Sequence, residues 1–239
     1  MDVFRLIFHK LLLTVLSLIF INVLTIRVKK SENRIEASRH WIWVYLSVIL
    51  YYTFLGRPLT IFFEQYDFKL FANLVLGIFC LAPVVFFMKI DRERISDIGL
   101  GATNAVISIG VGIALGLSYY IYLYILQGEK WTLNCSIGFI SVKIGYKFLR
   151  ALTNEIVFRG YIQKRLVISR GPILGILISS ILYAAACSIV TIMINEIQIS
   201  MLMFWFGFKL TAGMIYGYLA YRTDSIYGSA ILGVMTNIG

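Results

Sequence analysis

The segment Gly138–Leu166, GFISVKIGYKFLRALTNEIVFRGYIQKRL, holds most of the groups in this chain that could do chemistry. It is apolar enough to read as a membrane helix, yet it carries Lys143, Lys147, Arg150, Glu155 and Arg159 before a basic end at Lys164 and Arg165. An ionised side chain at a lone helix centre costs about 2.5–3.5 kcal/mol on insertion scales, so several in one segment cannot face lipid. They must line a cavity, pair with one another or reach the interface. Glu155 and Arg159 are spaced i, i+4 with the acid on the N-terminal side, which favours pairing on one helix face. Charge spacing alone therefore favours a self-satisfied ion pair inside a helix bundle. Lys143, Lys147 and Arg150 follow i, i+4, i+7, a single stripe along the same helix. The bland reading is an interfacial helix start whose long side chains reach headgroups. The sharper reading is a wet cleft that receives an anionic group, such as a lipid phosphate or a peptide carboxylate.

The rest of the chain must position these residues within a bilayer. Of 239 residues, 59% are hydrophobic, 15% aromatic and only 14% charged, with a mean hydropathy of +0.83. A soluble domain is nearer half apolar and a quarter charged. The composition excludes disordered, collagen-like and disulfide-stapled classes and implies an all-α, polytopic integral membrane protein. The net charge of +10 then reflects loops held on the cytoplasmic side, and no nucleic-acid partner is expected. Cys80, Cys135 and Cys187 give no disulfide framework and no zinc pattern. The apolar start ends in a basic stop at 26–30 without a cleavage site, which reads as a retained helix.

A bilayer core about 30 Å thick needs roughly 20 apolar residues per helix. Eight candidate spans follow: about Phe4–Ile26, Trp41–Phe63, Leu70–Met88, Ala105–Leu126, Gly138–Leu166, Ile173–Ser188, Met201–Tyr221 and Ser225–Gly239. The sixth and eighth are short, and the eighth could pack against protein rather than span. With no linker or internal repeat, residues 1–239 read as one membrane domain, with two N-terminal helices in 1–66 and a core from about 90 to 239. Loops after alternate spans carry twelve Lys and Arg against three on the other side, which places the basic loops in the cytoplasm and both termini outside. The abundance of Ile and Lys suggests a bacterial plasma membrane.

NEIVFRGYIQKRL at 154–166 resembles the first motif of the CPBP family, the CAAX-type proteases and bacteriocin-processing proteins also called Abi. That motif is usually a Glu-Glu pair, three residues, then Arg. ERISDIGLG at 93–101 looks like the Leu-Gly-Leu loop that often precedes the family's core helices. SSILYAAACS at 179–188 has the context of the second motif, normally Phe, three residues, His. FKLTAGMIYGYLAYRTDSIYGSAILGVMTN at 208–237 resembles the third region, which leads to a His and, four residues on, an Asn. Carried over position by position, Asn154 occupies the first Glu position, Glu155 the second and Arg159 the Arg. Cys187 and Gly233 stand at the two His positions, and Asn237 matches the Asn.

The resemblance implies water attack on an amide, with Glu as base, His helping to hold the water and a His/Asn pair stabilising the oxyanion. Asn154 cannot accept a proton near neutral pH, and Gly233 has no side chain to donate to a developing charge. Losing one oxyanion donor typically costs about 10²–10³ in rate. The two histidines, His9 and His40, lie far upstream of the motifs. One Cys and one Glu do not make three or four metal ligands, so neither a metal nor another cofactor is expected. Asn154, Glu155, Arg159, Cys187, Gly233 and Asn237 thus form a vestigial site, and Lys143, Lys147 and Arg150 a candidate anion-binding stripe.

The expectation is a pseudoprotease that acts as a scaffold, regulator or immunity factor and binds a membrane or cell-envelope protein. The alternative is an atypical intramembrane endopeptidase using Glu155, and the third reading is a lipid-binding or transport protein. Gly112/Gly116 and Gly213/Gly217 have GxxxG spacing, which serves internal packing more often than homo-oligomerisation. The apolar connection 189–200, with Asn195 and Glu196, reads as either a plain loop or a re-entrant piece.

Overall fold

In the computed structural model, residues 3–25, 39–56, 58, 69–101, 104–127, 137–194 and 199–236 are described. Asn237, Asn195, Glu196 and Cys135 lie outside them, as does the side chain of Lys143. The described residues form eight helices and no strand: α1 Val3–Leu24, α2 His40–Tyr51 with a π turn Tyr52–Gly56, α3 Lys69–Ile90, α4 Ala105–Gln127, α5, α6 Pro172–Ile194, α7 Ile199–Thr223 and α8 Tyr227–Met235. Helix α5 is composite, running Ile137–Glu155, then π-helical over Ile156–Gln163, then α-helical over Lys164–Arg170. Gly171 (φ +82°) ends it in the left-handed half of backbone space, and Pro172 opens α6, a position where its missing N–H costs nothing.

Among the described residues, two helices carry an 18-residue apolar stretch long enough to cross a bilayer, Ala105–Tyr122 and Pro172–Ile189, and shorter apolar runs occupy Thr14–Leu24, His40–Leu55 and Val75–Ile90. Helix α6 is not short as expected: it continues to Ile194, because the apolar run after Ser188 extends the helix instead of opening a loop. Helix α8 has nine residues, about 14 Å at 1.5 Å each, half the thickness of a bilayer core. Six of those nine are buried, so it inserts among its neighbours, which are α4, α5 and α7.

The burial pattern departs from that of a soluble protein on both sides of the surface. Large apolar side chains stand outside, among them Val106 (81% exposed), Ile173 (82%) and Met203 (72%). Inside are Arg159, Arg165, Glu155 and Gln163, all at most 3% exposed. The main core joins Val44 and Val48 of α2, Val84 and Met88 of α3 and the π segment of α5, so the N-terminal half packs directly on the helix that bears the charges.

Small residues permit this approach. A Cβ on Gly112 or on Gly228 would run into the facing backbone, at Gly228 and at Ser108 respectively, so α4 and α8 touch main chain to main chain. Gly213 and Gly217 of α7 likewise face Ser180 of α6 and Gln163 of α5. Both GxxxG spacings thus lie at helix contacts within the chain.

One end of the bundle is closed by polar contacts. Arg165 is fully buried, donates to Asp91 (3.2 Å) and Glu93 (2.6 Å), and sets its guanidinium 3.4 Å from the centre of the Tyr161 ring. His40 meets Asp91 at 3.0 Å and stacks on Phe87. Burial pushes the Glu93 carboxyl above its usual range, an effect that Arg165 opposes. Lys164 pairs with Asp224 at 2.7 Å, and Arg222 donates to Thr25 Oγ1 at 3.0 Å. The 93–101 loop is wedged here: Gly99 (φ +83°) accepts from the Ile226 N–H, and Ile98 sits against Gly160, where a Cβ would strike the Ile98 carbonyl.

Candidate functional site

Helix α5 supplies one polar face along its length, and α6, α7 and α8 close around it. Asn154 and Glu155 end its first α-helical stretch, and Arg159 lies in the π segment. π-helical turns cluster at functional sites, and this one widens the helix where all eight of its residues are buried. The widening changes the expected ion pair. Arg159 Nε lies 3.5 Å from Glu155 Oε2, close enough for attraction but without hydrogen-bond geometry. Arg159 instead donates from Nη2 to the Gly213 carbonyl at 3.3 Å and lies over three rings, Tyr183 at 4.2 Å, Tyr216 at 5.7 Å and Phe158 at 6.0 Å. Its Nε and Nη1 have no hydrogen-bond partner, so the pair is electrostatic and is not self-satisfied as expected from an ideal i, i+4 turn.

A cavity of about 320 Å³ opens on the other side of Glu155. Asn154, Glu155, Cys187 and Gly233 line it together with Lys147 and Arg150, and α7 adds Lys209 and Tyr216. Asn154 accepts from the Tyr52 hydroxyl at 3.1 Å, which fixes its carbonyl oxygen and leaves its amide nitrogen as the group still to be placed. The Tyr216 and Thr236 hydroxyls are hydrogen-bonded at 2.5 Å, tying α7 to the end of α8. Tyr183 packs edge-on against Phe158 at 5.3 Å, a fixed wall beside Cys187. A Cβ on Gly233 would meet nothing nearer than 3.7 Å, so that wall is bare by choice of residue and has room for a small side chain.

Of the residues singled out in the sequence, the structure therefore gathers Asn154, Glu155, Cys187, Gly233, Lys147 and Arg150 around one space. Arg159 lies behind it and lines a second cavity, of about 200 Å³, toward the polar end with Gln163 and Ser225. Lys209 was missed by sequence reasoning. Its signal was present, since it is a lone cation within the apolar run of α7, and an intramembrane charge is a site hypothesis by default. Among the described residues no three of His, Cys, Asp and Glu are arranged to hold a metal ion.

No curated protein and no solved structure matches the chain. Residues 137–239 match the profile of the family described as type II CAAX prenyl endopeptidase Rce1-like, a span that runs from α5 through the end of α8 and leaves the 93–101 loop outside. That matched span contains every residue lining the cavity, and over it the chain is similar to CAAX-protease-type proteins.

Proposed function

We propose that this chain is a multi-pass membrane protein with a CPBP-type core in which the former catalytic groove binds and does not cleave. The observation that carries this reading is the lining of the cavity. Where the family's motifs would put a base and two histidines, the groove presents Asn154, Cys187 and Gly233, and the acid it retains, Glu155, faces a buried arginine. An amide at the first acidic position cannot accept a proton, and neither Cys187 nor Gly233 supplies a polarised donor to an oxyanion. The apolar exterior and the membrane nature of the family support a location in a bilayer, with the basic loops in the cytoplasm of a bacterial cell.

The partner class is a membrane or cell-envelope protein, with this chain as scaffold, regulator or immunity factor. The test is affinity capture in mild detergent of wild type, Gly233→Ala and Gly233→Phe. Alanine fits at this position with ordinary contacts, whereas phenylalanine fills the groove. Wild type and Gly233→Ala should retain one stoichiometric envelope protein that Gly233→Phe loses. Equal capture by all three would show that the groove is not the docking site.

A further inference from the structure

The loop that follows α3 sorts its charges by direction. Residues 89–97, KIDRERISD, set Lys89, Arg92 and Arg94 against Asp91, Glu93 and Asp97, so by composition the segment is neutral. In the fold the acids are turned back on the protein. The Asp91 and Glu93 side chains are 7% and 2% exposed and both accept from the buried Arg165, while Asp97 accepts from the Arg94 backbone N–H at 2.8 Å. Lys89, Arg92 and Arg94 are exposed. The outward face of the loop is therefore basic although its sequence is not. Residues 26–38, which precede α2, add four Lys and Arg against two Glu, so the acids nearest this end in sequence come with more bases than they can offset.

Two further features mark the surface. Arg92 closes α3 at φ +55°, a left-handed helix cap that ordinarily falls to glycine, with the Glu93 N–H returning to the Met88 carbonyl at 2.9 Å. An arginine kept in that strained conformation, with its side chain outside, points to a use for the side chain. Ile90 and Ile95 stand beside the bases, 53% and 67% exposed. Exposed cations interleaved with exposed isoleucines at a helix end match the boundary between headgroups and acyl chains, where each group meets its own kind of surroundings. We propose that the 89–95 loop is a docking surface for anionic phospholipid headgroups, with Lys89, Arg92 and Arg94 on the phosphates and Ile90 and Ile95 at the edge of the acyl layer. This surface is independent of what the groove binds.

The experiment uses the full chain in a neutral detergent, titrated with dioctanoyl phosphatidylglycerol or dioctanoyl phosphatidylcholine and read by native mass spectrometry. Phosphatidylglycerol should bind about tenfold more tightly, a preference that added salt erodes. Lys89→Gln, Arg92→Gly and Arg94→Gln should each weaken it about threefold, and the three together should remove the preference. Arg92→Gly should melt no lower than wild type, because glycine takes the left-handed turn without strain, so its weaker binding reports the lost charge and not a damaged loop. Lys89→Arg with Arg94→Lys should bind like wild type. If the triple variant does not fold, Arg92→Gly decides the question. Equal affinity for the two lipids, or an Arg92→Gly variant with the wild-type preference, would overturn the proposal. Loss of a co-purifying acidic protein from the triple variant, with phosphatidylglycerol binding intact, would assign the face to a protein and overturn the lipid reading.

Discussion

Arg159→Met should destabilise the protein by about 3–5 kcal/mol, the usual cost of removing one partner from a buried ion pair. Arg159 is 1% exposed and Glu155 3%, and they face each other at 3.5 Å. Without the guanidinium, Glu155 keeps a buried carboxylate whose Oε2 has no hydrogen-bond partner. The contacts to Tyr183 and to the Gly213 carbonyl, which hold α5 to α6 and α7, go with it. Removing both charges is a different matter: Glu155→Gln with Arg159→Met should recover most of the loss, because replacing a whole buried pair is often neutral or better. The coupling between the two sites is then the difference between the double variant and the sum of the singles. Thermal unfolding in detergent measures it. A single variant that melts with wild type would show that Glu155 is not held by Arg159.

Arg165→Met should be at least as damaging, again about 3–5 kcal/mol, since one deletion leaves two acids without their cation. Arg165 is fully buried, bridges Asp91 and Glu93 and covers the Tyr161 ring. His40 remains beside Asp91, but Glu93 loses the partner of its Oε2, and its Oε1 already has none. Arg165→Lys should rescue little, because an ammonium cannot reach two carboxylates as a fork and lie flat on a ring at once. Beyond the lower melting temperature, limited proteolysis should show cleavage in the 91–101 segment, which Arg165 pins against α5. A lysine variant as stable as wild type would show that charge alone, without the planar fork, is what this position requires.

The charge-bearing helix and the all-helical build of the described residues were legible because both rest on local signals. Apolar runs of bilayer length and ionised residues interrupting one of them can be read without tertiary context. That α8 is too short to span was legible for the same reason, although the helix runs Tyr227–Met235 and not Ser225–Gly239. The misreadings share a cause. Arg165 counts as a cytoplasmic-loop charge by position, yet its partners Asp91 and Glu93 lie more than seventy residues upstream, beyond any periodicity. The Glu155–Arg159 ion pair expected from the i, i+4 spacing is present, but the π segment over Ile156–Gln163 has no composition that separates it from an α-helix, so the unmet hydrogen bonding of Arg159 Nε and Nη1 was not legible. Lys209 was visible but isolated, and only the packing of α7 on α5 and α6 brings it to Lys147 and Arg150.

The proposed absence of peptide hydrolysis in this groove is tested most directly by a cleavage assay on purified protein. Wild type and the variant Asn154→Glu, Cys187→His, Gly233→His would be incubated with a prenylated peptide ending in a free carboxylate, with products followed by mass spectrometry. The predicted result is no product from wild type above the protein-free control, at any pH at which it stays folded, with cleavage confined to the restored variant. Product from wild type that disappears in Glu155→Gln would contradict the account and make this chain an enzyme.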